Sequence, residues 1–124
     1  MAYNDMSING VKEVSKPLSE PVLLILTSLA EKPRHGYALL KDIEALSEGR
    51  VRLSTGTLYG AIHRLLEQQW IGRFDQPDTA REKQVYRLTS AGRRHLRFEV
   101  DRMRRLTQAV LTRFKTREIR KQEV

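Results

Sequence analysis

From Val22 to Leu66 the apolar residues recur at helical spacing, between Trp70 and Leu88 they alternate, and from Leu96 the helical spacing returns. Helical spacing lines one face of a helix, whereas alternation lines one face of a strand. The order of these periods therefore limits the chain to a few helices, a small ribbon and a final helix. Ser19 is placed to cap the first helix, and Pro21 is tolerated in its first turn, where a missing N–H costs nothing. Val22, Leu23, Ile25, Leu26 and Leu29 cover most of that helix's circumference, and Pro33 and Gly36 stop it. Tyr37, Leu39, Leu40, Ile43 and Leu46 form a second stripe that ends at Ser47-Glu48-Gly49. Val51-Arg52-Leu53 reads as a small strand or an extended lead-in. Ser54 and Thr55 are candidate caps of a third helix with Leu58, Ile62, Leu65 and Leu66 inward. Trp70–Phe74 and Gln84–Leu88 predict an antiparallel pair around a turn at residues 75–80. Thr89 is placed to cap a last helix running from Ser90 into the 110s.

A length of 124 residues suits one domain with a real core. Three compact helices followed by a ribbon is the layout of a winged helix-turn-helix. The fold class expected is mainly α with a small β wing and a long C-terminal helix for dimerisation. The expected organisation is a flexible arm at residues 1–16, a winged helix-turn-helix DNA-binding domain at 17–89, and a dimerisation helix and tail at 90–124.

In that layout the third helix is the recognition helix. With its apolar stripe inward, Ser54, Thr55, Thr57, Tyr59, Gly60, His63 and Arg64 lie on or beside its early exposed surface. Small and hydroxylated residues let a helix N-terminus approach phosphate, and an arginine reaches a guanine edge with two hydrogen bonds. The competing reading has Tyr59 packed on the first helix and Arg64 solvated. The wing tip offers Arg81 and Lys83 with Arg87 below them, and it has no glycine. Tyr37 is expected to fill the core edge beside the close His35-Gly36 turn, with Arg34 or His35 as alternative phosphate contacts. Trp70 is expected to plug the gap between the third helix and the wing rather than to stack on a ligand.

The net charge is +8 and the isoelectric point near 10.2, a balance that favours nucleic acid first and anionic membrane second. The excess is local: residues 1–89 carry a net +1 and residues 90–124 a net +7. Within the last helix, Leu96, Val100, Met103, Thr107, Val110 and Phe114 make a heptad seam that calls for a partner helix, and Leu106 and Leu111 widen it. Arginines ring that seam, with Arg93, Arg94 and Arg97 nearest the wing. A basic amphipathic helix lying on an anionic membrane fits the heptad less well.

Three motifs carry a family resemblance: Arg34-His35-Gly36-Tyr37, Gly56-Thr57-Leu58-Tyr59 and Tyr86-Arg87-Leu88-Thr89-Ser90-Ala91-Gly92. In this order and spacing the chain resembles the PadR family of bacterial transcriptional regulators over about residues 18–114. The resemblance implies a homodimeric winged-helix repressor that binds a palindromic operator in double-stranded DNA and dimerises through its C-terminal helix. It is similar to the subclass with a single long C-terminal helix. Gly60 stands where many members have proline. Gln69 stands where most have glycine, so a left-handed helix end there would be strained by about 1 kcal/mol, and a different ending is expected.

Nothing in the sequence points to an enzyme or a cofactor. The chain has no cysteine; His35, His63 and His95 lack ligand spacing, and no glycine-rich phosphate loop follows a strand. The acidic residues read as scattered on polar faces. The longest apolar run is Val22–Leu26, far short of the roughly 20 residues of a membrane span. With no signal pattern at the N-terminus, the reading is cytoplasmic. The expected function is a repressor released by a small molecule or another signal. The alternatives are a basic architectural or RNA-binding protein working through its C-terminal charge, and a dimeric adaptor that contacts protein.

Overall fold

The computed structural model describes residues 16–74 and 83–123. In chain order these form α1 (Glu20–Glu31), β1 (Arg34–His35), α2 (Gly36–Leu46), α3 (Thr55–Glu67), β2 (Ile71–Arg73), β3 (Val85–Leu88) and α4 (Ser90–Glu123). The strands make one antiparallel sheet in the order β1-β3-β2. This is the expected mainly helical winged layout. The arm before residue 16, the turn at 75–80 and Arg81 lie outside the described residues.

α1 begins as the sequence predicts: the Ser19 hydroxyl accepts from the Val22 N–H at 3.4 Å, and Pro21 sits in the first turn. Ile25, Leu26 and Leu29 are buried, and so is Ser28. Ser28 is satisfied by donating to Asp42 Oδ2 at 2.5 Å, as a buried hydroxyl must be. Arg34 closes the same cluster. Its Nε donates to the Ser28 carbonyl at 3.2 Å, and its guanidinium pairs with Asp42 at 3.4 Å and with Glu31. Arg34 is thus tied to α1 and α2 and is not presented as a phosphate contact.

Immediately after it, Arg34 and His35 pair with Tyr86 and Val85 as the third strand. Of the two readings of Val51–Leu53, a small strand or an extended lead-in, the structure shows the second. Residues 51–54 are an extended lead-in without strand pairing, anchored where the Val51 N–H donates to Ser47 Oγ at 2.9 Å.

The stripe of α2 is narrower than predicted. Gly36, Leu39 and Ile43 are buried, whereas Tyr37 is 68% exposed and Leu46 is also exposed. The aromatic ring beside Gly36 belongs to Tyr59 of α3. A methyl group on Gly36 would fall well inside van der Waals contact of the Tyr59 hydroxyl. Tyr37 therefore does not fill the core edge; Tyr59 does, and Tyr37 lies outside with the Lys41 amine 5.7 Å from its ring centre.

α3 buries Leu58, Ala61, Ile62 and Leu65 against Ile25, Leu26, Leu39 and Ile43, with Ile71 and Tyr86 of the sheet completing the core. Each such side chain contributes roughly 1.5–3 kcal/mol on removal from water. The helix ends with Gln69 at φ 64°, the Gln69 N–H on the Leu66 carbonyl and the Trp70 N–H on the Leu65 carbonyl, both at 3.0 Å. This is the paired left-handed helix end usually made by glycine. The expectation of a different ending is corrected: the geometry is kept and the strain is carried by Gln69. One compensation is local, because the Gln69 carbonyl accepts from the Thr89 hydroxyl at 2.6 Å.

Thr89 also caps α4, its Oγ1 accepting from the Gly92 N–H at 3.0 Å. Gly92 is required for a second reason, since a Cβ there would collide with the Trp70 carbonyl. Trp70, between the end of α3 and β2, is half-buried against the core. It stacks on His95 of α4, with ring centres 4.0 Å apart and planes 23° apart.

α4 has 34 residues, about 51 Å at 1.5 Å per residue. Its first turns belong to the domain: Leu96 packs on the core and Val100 is half-buried. From Arg104 to Lys121 every side chain but Ala109 is exposed.

Candidate nucleic-acid interface

α3 presents one face to the core and the other to solvent. Thr55, Gly56, Thr57, His63 and Arg64 are exposed on the outer face, Tyr59 and Gly60 are half-buried, and Ser54 is exposed at the cap. Ser54 Oγ accepts the Thr57 N–H at 3.1 Å and donates to Thr57 Oγ1 at 2.9 Å. These two hydroxyls therefore serve the helix start first, while the partial positive charge of that end remains at the exposed surface. His63 stands 3.4 Å from Glu67, an exposed pair charged on both sides only when the imidazole is protonated. The Arg64 guanidinium lies alongside Gly60, within 3.9 Å of where a side chain would begin. Tyr59 is drawn inward, over Gly36.

The wing stands beside this face. β2 and β3 pair in the register Ile71↔Leu88, Gly72↔Arg87 and Arg73↔Tyr86, and the Phe74 N–H extends the pairing to the Val85 carbonyl at 2.7 Å. Lys83 is exposed at the described edge of the wing. Arg87 lies flat on the ribbon, its guanidinium against Gly72. A groove runs between α3 and the sheet, with Gly56, Gly60 and His63 on one wall and Arg73, Gln84 and Tyr86 on the other. Gln84 is 7% exposed, and its Oε1 accepts from Arg73 Nε at 2.5 Å. Neither residue stands out in the sequence reading. The signal was present: in an alternating strand Gln84 shares its face with Tyr86, which is buried.

On α4, Arg93, Arg94 and Arg97 are exposed close to the wing-proximal end, around Phe98 and Ser90. The seam residues divide. Leu96 faces the chain's own core, Val100 and Met103 are half-buried, and Val110 and Phe114 are exposed. Not every acid is on a polar face, which corrects the sequence reading. Glu99 is 5% exposed and holds Arg102 through two bonds of 3.0 and 2.6 Å. Those bonds push its carboxyl below the usual glutamate range against the opposing effect of burial, aided by the Leu18 N–H, and they raise Arg102 in turn. Glu99 thus ties α4 to the segment leading into α1.

Among the described residues no cluster of three or more histidine or acidic side chains is placed to hold a metal, and no helix is long and apolar enough to cross a membrane.

The comparisons with known proteins agree on the fold. The model of the transcriptional regulator PadR-like family matches residues 25–98. An uncharacterised 37.1 kDa protein in transposon TN4556 of Streptomyces fradiae is 39% identical over 88 residues, covering 71% of this chain and 24% of that protein. The chain thus spans about a quarter of the length of this curated relative. Among solved structures, a transcriptional regulator from Clostridium thermocellum superposes with a TM-score of 0.60 at 26% identity, covering 75% of this chain and 90% of that one. A PadR family transcriptional regulator from Eggerthella lenta gives 0.58 at 29% identity, covering 77% and 81%.

Proposed function

The chain belongs to the PadR-like family of transcriptional regulators, and we propose that it is a sequence-specific, non-catalytic DNA-binding regulator that acts as a homodimeric repressor. The observation that carries this reading is α3: its apolar face is consumed by the core, and its polar face stands exposed beside a basic-edged wing. In this reading Ser54, Thr55 and Thr57 bring the helix end to the phosphate backbone, while His63 and Arg64 reach base edges. Tyr59 fixes α3 against α2 and contributes to the surface from its half-buried position. Gly60 keeps the surface of α3 low, so that DNA can approach the helix closely. Lys83 and Arg81 grip the backbone without reading sequence.

Residues 17–89 then do the reading and residues 90–124 join two copies. Support for the second half lies in the exposed apolar side chains Leu106, Val110, Leu111, Phe114 and Ile119 along the free part of α4. Val100 and Met103 start the seam where α4 leaves the core. Leu96 serves mainly to hold α4 to its own domain. A dimer sets two α3 helices against two half-sites, so the operator is palindromic. Family membership supports operator release by a small molecule or another signal.

The test is an electrophoretic shift on the DNA upstream of the protein's own gene, competed with random duplex. A preference of about 10³ or more supports the reading. Equal binding to both would favour an architectural or RNA-binding role for the C-terminal charge. Arg64→Ala is expected to cost about 1–3 kcal/mol on the operator.

A further inference from the structure

We propose that Arg73 is a DNA-phosphate contact built into the groove between α3 and the wing, with the buried Gln84 as its positioning residue. This rests on the DNA-binding reading above and adds a contact on the stem of the wing rather than at its tip.

Arg73 is the last residue of β2, paired across the ribbon with Tyr86. Its Nε donates to Gln84 Oε1, a bond anchored on a side chain that is itself almost fully buried. One of the five guanidinium N–H groups is used this way. Four remain on the terminal nitrogens, in the fork that matches two phosphate oxygens. A guanidinium already fixed loses less freedom on binding than a solvated one.

Several other arginines are already paired with acids. Arg34 pairs with Glu31 and Asp42, Arg52 with Glu44, and Arg102 with Glu99. Arg87 lies along Gly72. Arg73 is held in place by Gln84, and among the described residues it has no acidic partner. The facing wall lets a strand of DNA come close. Gly56 has nothing within 4 Å of where its side chain would be, and Gly60 meets only the end of Arg64. A recognition helix in the major groove and a wing beside it straddle one phosphate backbone, and Arg73 stands between the two.

The experiment measures binding of the full chain to a random-sequence duplex across a salt series, with circular dichroism confirming that each variant is folded. Arg73→Ala is expected to flatten the plot of log affinity against log salt by about 0.9 for each protomer on the DNA. Arg113→Ala, far along α4, is expected to leave it unchanged. Arg73→Lys keeps the charge, so it should retain the slope with weaker binding. Gln84→Leu likewise leaves the slope near the parent's while lowering affinity, which a purely electrostatic role for the region would not produce. A parental slope in Arg73→Ala, or equal flattening in Arg113→Ala, overturns the assignment. Parental affinity in Gln84→Leu removes the positioning role. A parent chain with no salt-dependent binding to duplex would instead overturn the DNA-binding reading itself.

Discussion

α3 and α4 are both amphipathic, and they complete themselves differently. α3 has 13 residues and buries its apolar face within the chain, against α1, α2 and the sheet. α4 has 34 residues and does this only over its first turns, through Leu96, Glu99 and Val100; beyond Met103 its apolar side chains meet solvent, with Phe114 63% exposed. What remains exposed on α3 is polar, suited to a wet and charged partner. What remains exposed on the far part of α4 is a mixed surface with a hydrophobic seam, which in water favours a second helix. One helix shows its partner a chemistry, and the other shows a deficit.

The largest effect comes from cutting α4 at different points. A chain ending after Met103 keeps Leu96, Glu99 and Arg102 in place and loses the free seam. It is expected to be a folded monomer by sedimentation and circular dichroism, with operator affinity lower by about 10²–10⁴ because the two half-sites are no longer bound together. A chain ending at His95 also loses Leu96 and Glu99 and is expected to be unfolded or insoluble. If the chain ending at Met103 is still a dimer, the division of α4 into an intramolecular and an intermolecular half is wrong.

Gly92 tests how tightly the first half is held. Its missing side chain lets the first turn of α4 lie on the Trp70 carbonyl, a backbone atom that cannot swing aside. Gly92→Ala is expected to destabilise by about 3 kcal/mol, the upper end of ordinary overpacking. Gly36→Ala meets the tip of the Tyr59 side chain instead, which can rotate away, and about 1 kcal/mol is expected. Urea midpoints of the two variants check the order. Equal losses would mean that Trp70 and α4 move apart at little cost.

Glu99 tests the same attachment by pH. Its carboxyl lies below the usual glutamate range because Arg102 hydrogen-bonds it in the folded chain. A depressed folded value stabilises the protein above the unfolded value of about 4.3, and that stability is lost as pH falls through the folded value. Glu99→Gln is therefore expected to be less stable than the parent at pH 7 and to converge with it in acid. Parallel stability curves for the two proteins would show that the Glu99–Arg102 pair contributes nothing to holding α4.

Much of this comparison is legible in the sequence. Ser19, Ser54 and Thr89 cap where a hydroxyl precedes a periodic stretch, and Leu58, Ile62 and Leu65 face inward as their spacing requires. The PadR-like motifs at Arg34–Tyr37, Gly56–Tyr59 and Tyr86–Gly92 fall at the junction of β1 with α2, at the start of α3 and at the junction of β3 with α4. What periodicity could not decide is which neighbour a side chain meets. Tyr37 and Tyr59 both satisfy helical spacing, and only the close approach at Gly36 selects Tyr59. A heptad does not say whether Leu96 packs on its own domain or on another copy. A two-residue strand such as Arg34–His35 carries no alternation to read. A lone acid such as Glu99, amid arginines, looks like a solvated charge until Leu18 and Arg102 close around it.

The smallest expected effect lies where the two helices are joined. Gln69 ends α3 at φ 64° and passes its carbonyl to the Thr89 hydroxyl that caps α4. Its side chain is exposed, so glycine would remove no packing, and the carbonyl bond belongs to the backbone and would survive. Glycine relieves a left-handed penalty of roughly 1–2 kcal/mol but adds freedom to the unfolded chain worth about 0.5–1 kcal/mol. The net gain expected for Gln69→Gly is about 0.5–1 kcal/mol, read as a rise of about 2–4 °C in Tm. Gln69→Ala keeps the strain and is expected to show no gain. Neither variant touches the Ser54 end of α3, so operator affinity is expected to stay at the parental value. A gain with alanine as large as with glycine would mean that the glutamine side chain, not the backbone angle, is what costs stability at this joint.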